Sequence, residues 1–211
     1  MSSKRIYRCL VAIGSNLGDR GVYVNAALAE LEEISSFLMI SNLYETAPVG
    51  TLGEQGKYLN LVALLITSLN PDALIECLLD IEARNQRVRG EINAARTLDL
   101  DILYVYGVSS KTEKLMLPHP RMAERAFVIA PLLDVDPVLA FSVSPKLADS
   151  IVRREKAIGS EVADGVVFLG HYLKLSIPKL FTTGSSNSLP VNPAILYQPT
   201  QCTTSDGSSP L

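Results

Sequence analysis

The stretch ARTLDLDILYVYG, residues 95–107, carries two carboxylates in a run otherwise suited to a buried strand. Asp99 and Asp101 stand two residues apart, and Arg96 precedes them. Alternate residues of a strand project from one face, so both carboxylates point the same way, with Cα atoms about 6–7 Å apart at ~3.3 Å rise per residue. The same alternation places Leu98, Leu100, Ile102 and Tyr104 on one face and Asp99, Asp101, Leu103 and Val105 on the other. Two carboxylates so close repel each other and resist desolvation unless cations offset them. A single strand aspartate is most simply part of a solvated sheet face. The pair, beside an arginine and with no neighbouring His or Cys, favours a metal with hard oxygen ligands. Mg2+ fits, because it keeps several waters and shares phosphate oxygens.

Phosphate chemistry needs positive charge across the site. Arg87, Arg89 and Arg96 bracket the loop before the strand, and Lys114, Arg121 and Arg125 surround His119 after it. Any one of these cations alone reads as solvated surface. Grouped on both sides of D-x-D, they suit phosphoryl or pyrophosphoryl transfer, in which arginine and Mg2+ neutralise shifting charge. The common nucleotide loops are missing. In GTLGEQGKY the glycine spacing is one residue too long for a P-loop, and Tyr58 stands where Ser or Thr should meet the metal. GSNLG is not G-x-G-x-x-G. Any ATP site here is neither P-loop nor dinucleotide-fold in type.

The elements that must position these residues follow from periodicity. IYRCLVAIG reads as a first strand ending at Gly14. Val24, Ala27, Leu28, Leu31 and Ile34 recur at helical spacing after Asp19, a plausible cap. FLMISNLYET and YLNLVALLITS read as two strands, separated by a loop broken by Pro48, Gly50, Gly53 and Gly56. Asn70 and Pro71 open a helix with Leu74, Leu78 and Ile81 on its apolar face. TLDLDILYVY is the fourth strand. The order is βαββαβ, which predicts an α+β, ferredoxin-like fold with a mainly antiparallel sheet and helices on one or both faces. A short strand near Lys114–Leu117, a helix around Glu124–Leu133 and an amphipathic helix near Lys146–Arg154 follow.

The 211 residues are enough for one good core, and 47% of them are hydrophobic. A net charge of −3 gives no general pull toward nucleic acid or anionic membrane. Cys9, Cys77 and Cys202 are far apart and odd in number, which argues against a zinc cluster or disulfide framework; Cys9 and Cys77 read as small core residues. CLVAIG is too short for a signal-peptide core, and no window reaches membrane-spanning length. The expectation is a cytoplasmic monomer that meets only small-molecule substrates. The chain divides into a domain over 1–158 and an extension over 159–211. Residues 159–181 are apolar enough to dock on the domain but too irregular to assign, and 182–211, with Asp206 as the sole charged side chain, predict disorder.

Four blocks in order, AIGSNLGDR, SNLYETAPVG with YLN, RTLDLDIL and LPHPRMAERAFVIAPL, resemble the 6-hydroxymethyl-7,8-dihydropterin pyrophosphokinases of folate biosynthesis. The resemblance spans roughly residues 6–135 and, less distinctly, runs on to about 155. It implies attack of the dihydropterin hydroxymethyl oxygen on the β-phosphorus of ATP, with AMP leaving. It also implies a pair of Mg2+ ions held by Asp99 and Asp101. By motif, Arg87 and Arg96 join the two aspartates as catalytic residues. Arg87, Arg96, Ile102, Lys114, His119 and Arg125 match the ATP contacts, and Thr46, Val49, Tyr58, Asn60 and Phe127 match the pterin pocket. Taken alone, Tyr58 and Phe127 would be core packing and His119 a loop residue; Glu82 is placed to position Arg87.

One stretch departs from the family pattern. Before RT the family has an arginine, an aromatic, glycine and then proline or alanine; here the chain reads Ile92, Asn93, Ala94, Ala95 and is one residue shorter. Losing a stacking ring from a loop that closes over substrate predicts weaker pterin affinity with activity retained. Two rivals remain at this point. One is a weak or inactive homologue that only binds pterin or nucleotide. The other is a ferredoxin-like regulatory domain, which would need no paired strand carboxylates.

Overall fold

The chain's apolar runs fold as the periodicity predicts, and a computed structural model describes residues 5–48, 55–88, 94–154, 156–170 and the backbone of 175–176. Strand β1 (Tyr7–Ser15) leads into helix α1 (Arg20–Glu33), where Asp19 Oδ1 accepts from the Val22 amide at 3.2 Å. Strands β2 (Phe37–Ile40), β3 (Leu43–Thr46) and β4 (Tyr58–Thr67) follow, then helix α2 (Pro71–Arg84), capped by Asn70. Strand β5 (Asp99–Val105) carries the two aspartates. A small hairpin, β6 (Ser110–Lys111) with β7 (Met116–Leu117), precedes a single 3-10 turn over Met122–Glu124. Helices α3 (Ala126–Val135), α4 (Pro137–Val143) and α5 (Pro145–Val152) come next. Strands β8 (Glu161–Ala163), β9 (Val166–Gly170) and β10 (Leu175–Ser176) come last.

Eight strands form one antiparallel sheet. The order across it is β5, β1, β4, then β2 and β3 end to end, then β10 and β9, then β8. Its first four positions have the arrangement of the split βαβ, as the sequence predicts. Helices α1 and α2 cover one face through Val24, Leu28, Leu31, Leu74, Leu78 and Ile81. Helices α3 to α5 cover the other through Val128, Ile129, Leu132, Ala148 and Ile151. Cys9 is a buried core residue and Cys77 packs at the edge of that core; both are free thiols. Among the described residues no helix is long and apolar enough to cross a membrane.

Three local features differ from simple alternation. FLMISNLYET is two strands rather than one, because its pairing with β4 slips by one residue between Ile40↔Ala63 and Tyr44↔Asn60. Ser41 satisfies the break: its amide donates to the Val62 carbonyl at 2.9 Å and its Oγ accepts from the Val62 amide at 2.9 Å. A second slip falls in β5, where Val11 pairs Ile102 but Leu10 pairs Tyr104, leaving Leu103 as the extra residue. The expected faces therefore hold through Leu103 and then exchange: Tyr104 packs toward α3, and Val105 joins the α1–α2 core. Helix α4 is an addition to the expected list; Asp136 caps it and Pro137 opens it.

Residues 161–170, left unassigned by sequence, extend the sheet through β9 along β3. Phe168 is 1% exposed and meets Tyr44 edge-on, with ring centroids 5.8 Å apart. The Tyr44 hydroxyl and the Asn42 amide both donate to Asp134 Oδ2 on α3, at 2.8 and 3.1 Å. Lys156 donates to the other oxygen of Asp134 at 2.5 Å and lies over both rings, 5.2 and 5.4 Å from their centroids. The predicted tail over 182–211 lies outside the described residues. Truncating Phe168 to alanine should cost about 3–5 kcal/mol in denaturant unfolding; an unchanged midpoint would show that β9 carries none of the core.

Candidate active site

The site begins with a flat position. Gly14 on β1 pairs with Asn60 on β4 and with Asp99 on β5. A Cβ there would lie 3.2 Å from Asn60 Oδ1 and 3.9 Å from the Asp99 Cβ. The absent side chain leaves open the α3-side face on which both aspartates stand. Asp101 pairs with another small residue, Ala12. The alternation argument is thus realised: Asp99 and Asp101 line the same cavity.

Two arginines converge on Asp99. The Arg96 guanidinium donates to Asp99 Oδ1 at 2.8 Å. Its own peptide is clamped by Asn16, whose Oδ1 accepts from the Arg96 amide at 2.7 Å and whose amide donates to the Arg96 carbonyl at 3.0 Å. Arg87 donates to the same Asp99 oxygen at 2.5 Å and to the Leu98 carbonyl at 3.2 Å, and pairs with Glu82. Gln86, at φ +62°, makes the left-handed turn that ends α2 and releases Arg87 toward the sheet. Glu82, 3% exposed, also accepts from the Leu100 amide at 2.8 Å. It therefore satisfies the outer edge of β5 and fixes Arg87 at once, the positioning role expected of it. Burial pushes the Glu82 carboxyl up, while the Leu100 amide and Arg87 pull against that rise.

Asp101 faces a different environment. Burial raises its pKa, the Asp99 charge raises it further, and His119, Arg125 and Arg87 oppose the rise. His119 is itself driven down by burial, with Asp101 the main opposing influence. The Arg121 amide donates to His119 Nδ1 at 3.2 Å, so the neutral ring carries its proton on Nε2. Arg125 lies over the Phe127 ring, 5.5 Å from its centroid.

Two cavities share this wall. One, of ≈ 150 Å³, brings together Thr46, Tyr58, Asn60 and Phe127 with Arg96, Arg125 and both aspartates. Within it Asn60 Nδ2 donates to Thr46 Oγ1 at 2.7 Å, which sets the amide orientation. The other, of ≈ 350 Å³, runs between α2 and the β6–β7 hairpin and is lined by Glu82, Arg87, Arg96, both aspartates and Lys114. Most of the sequence-derived site residues therefore meet. Two stand apart from both cavities: Ile102, whose side chain is 3% exposed in the α1–α2 core, and His119, which reaches the site only through its electrostatic coupling to Asp101. Val49, Arg89 and Asn93 lie outside the described residues. Sequence alone assigns no role to Gly14 or Asn16 within AIGSNLGDR, nor to Glu113 and Glu76 beside Lys114.

The residues present fit a hard divalent cation. Among the described residues no group of three or more His, Cys, Asp or Glu side chains could enclose an ion. Asp99 and Asp101 supply two hard oxygen donors side by side, the donor type that a divalent cation such as Mg2+ would take. The Asp101 carboxyl is raised first by burial and then by the neighbouring Asp99 charge.

Paired carboxylates under an arginine cluster, beside a small aromatic-lined pocket, equip a protein for phosphate transfer to a flat acceptor. The model of the family 7,8-dihydro-6-hydroxymethylpterin-pyrophosphokinase matches residues 10–137, and the chain belongs to that family. Among curated relatives, the 2-amino-4-hydroxy-6-hydroxymethyldihydropteridine pyrophosphokinase of Bacillus subtilis (strain 168) is 42% identical over 127 residues, covering 59% of this chain and 75% of that one. The protein of the same name from Pseudomonas aeruginosa is 39% identical over 136 residues, covering 64% and 83%. A solved Plasmodium falciparum HPPK-DHPS structure aligns with TM-score 0.56 at 12% identity, over 83% of this chain. That likeness shows the fold, and this chain spans 49% of that protein's length.

The charge imbalance at Asp101 has a consequence for stability. Its folded-state pKa lies above the unfolded value, so the folded protein binds the extra proton and stability falls as pH rises through that window. Asp101→Asn should therefore raise the melting temperature of the ligand-free protein at neutral pH, with the gain shrinking as pH falls from the raised range toward the ordinary aspartate value and gone below it. A lower melting temperature at neutral pH would contradict the strained pair.

Proposed function

We propose that the protein transfers pyrophosphate from ATP to 6-hydroxymethyl-7,8-dihydropterin, giving the pterin diphosphate and AMP, in folate biosynthesis. The observation that carries this reading is the shared wall: Asp99, Asp101 and Arg96 line both the aromatic pocket and the cation-rich cleft. A group held in one cavity can pass to a molecule held in the other across that wall. Family membership supports the same reaction.

In this reading the pterin lies against Tyr58 and Phe127, with Asn60 and the Thr46 segment pairing with its amide-like edge. The orientation set by the Asn60–Thr46 hydrogen bond is ready before substrate arrives. The triphosphate occupies the cleft between α2 and the β6–β7 hairpin. Arg87 and Arg96, already aimed at the wall, neutralise the oxygens of the transferred group. His119 donates from Nε2 to a phosphate oxygen, and Arg125 adds charge on the pterin side of the same wall. Asp99 and Asp101 would hold Mg2+, which when bound supplies charge neutralisation and fixes the triphosphate for in-line displacement. The hydroxymethyl oxygen then forms its bond to the β-phosphorus as its proton passes to solvent, and the bond from that phosphorus to the α,β-bridging oxygen breaks, releasing AMP. The protein works as a cytoplasmic monomer on small molecules, without nucleic acid or membrane.

An AMP-release assay on the intact protein tests this directly. With ATP, hydroxymethyldihydropterin and Mg2+, AMP and pterin diphosphate should form in equal amounts. Asp99→Ala and Asp101→Ala should each lower kcat by at least about 10²-fold, the scale for losing one preorganised electrostatic element. ADP as the product, or full turnover in either variant, would overturn the reading; pterin binding without AMP would mark a binding module.

A further inference from the structure

Beside the cleft between α2 and the β6–β7 hairpin, an ion pair joins the two elements. Lys114 Nζ on the hairpin contacts the Glu76 carboxylate on α2. Neither partner is locked away: the side chains are 48% and 59% exposed. Lys114 also lines the cleft that holds Arg87 and both aspartates, so its ammonium can serve either the helix or a ligand.

The supports on each side are firm, which makes the pair a choice between partners for one cation rather than a loose surface contact. The hairpin tip is closed by Thr112, whose amide donates to the Leu115 carbonyl at 3.1 Å and whose Oγ1 accepts from the Leu115 amide at 3.0 Å. Leu115 and Leu117 anchor it in the α1–α2 core at 5% and 3% exposure. On the other side, Leu74 and Leu78 flank Glu76 along α2 and are fully buried. Only the two long side chains need move. Glu76 does not line the cleft but touches it through Lys114, beside a wall that already carries Glu82, Asp99, Asp101 and Glu113.

We propose that Glu76 competes with bound nucleotide for Lys114, so that the pair opens when a triphosphate enters and re-forms when the nucleotide departs. Glu76 is thereby a residue that limits nucleotide affinity and favours release. The inference rests on the cleft being the ATP site. Both electrostatic effects of Glu76 act in one direction: it withholds a cation from the ligand and repels the ligand's charge. Exposed ion pairs are weak, so the expected effect is small and sensitive to salt.

Calorimetric titration of the intact protein with a non-hydrolysable ATP analogue and Mg2+ tests this. Wild-type binding that weakens in Lys114→Met establishes the cleft as the nucleotide site; no binding at all would remove the underlying reading rather than the role of Glu76. Glu76→Gln should tighten the analogue by about two- to five-fold at low ionic strength. The gain should shrink at high salt and leave pterin affinity where it was. In a Lys114→Met background the Glu76→Gln gain should fall to less than half. Unchanged or weaker analogue binding in Glu76→Gln, with wild type binding normally, would overturn the proposal and assign Glu76 to holding Lys114 in place. A gain that persists in full without Lys114 would also overturn competition and leave simple repulsion.

Discussion

Two carboxylates on one face of one strand cannot be neighbours in a half-buried place without charge compensation, and much of the molecule is arranged around that problem. Asp99 is compensated from within the protein. Arg96 and Arg87 both donate to its Oδ1, and each arginine is held elsewhere, by Asn16 and by Glu82 respectively. Asp101 is the more deeply desolvated of the two, and burial followed by the Asp99 charge raises its carboxyl against His119, Arg125 and Arg87. A bound divalent ion with its triphosphate would place positive charge where the ligand-free protein lacks it.

The fold supplies that arrangement through strand order. Because β5 lies at the end of the sheet, one edge pairs with β1 and the other meets Glu82 and the Leu103–His119 backbone bond. The loop bearing Arg96 can therefore lie beside the strand end, and α2 can reach the outer edge. Gly14 and Ala12 on β1 keep the adjoining face low enough to hold a cavity. On the far side of that cavity, α3 brings Phe127, and Asp134 ties the same helix to the β2–β3 break through Asn42 and Tyr44. The break itself puts Thr46 in position to receive the Asn60 hydrogen bond.

Much of this was legible from the residues. Period-two alternation placed the aspartates together, Asn70–Pro71 started α2 where it starts, and the βαββαβ order gave the sheet. What alternation could not show were the one-residue slips at Ser41 and Leu103. A bulge is stabilised by pairing with a partner strand, as Ser41 is by Val62, and has no local signature in a run that is apolar throughout. The tertiary clamps were hidden for the same reason. Asn16 and Arg96 are eighty residues apart, as is plain only once the sheet has formed. Strand β9 was obscured because VVFLG is too short to separate from other apolar pieces until Tyr44 and Lys156 give Phe168 its surroundings. The Asp136–Pro137 start of α4, by contrast, was a usable signal.

The most direct test of the account is divalent-cation binding at the carboxylate pair, read by the electron paramagnetic resonance of Mn2+ as it is titrated into protein with a non-hydrolysable ATP analogue. After subtraction of the Mn2+ that the analogue binds by itself, the wild-type protein should remove Mn2+ from the free signal far more strongly with the analogue than without it, and Asp99→Asn or Asp101→Asn should abolish that difference. Equal Mn2+ uptake by wild type and both variants would contradict the claim that these side chains hold the metal.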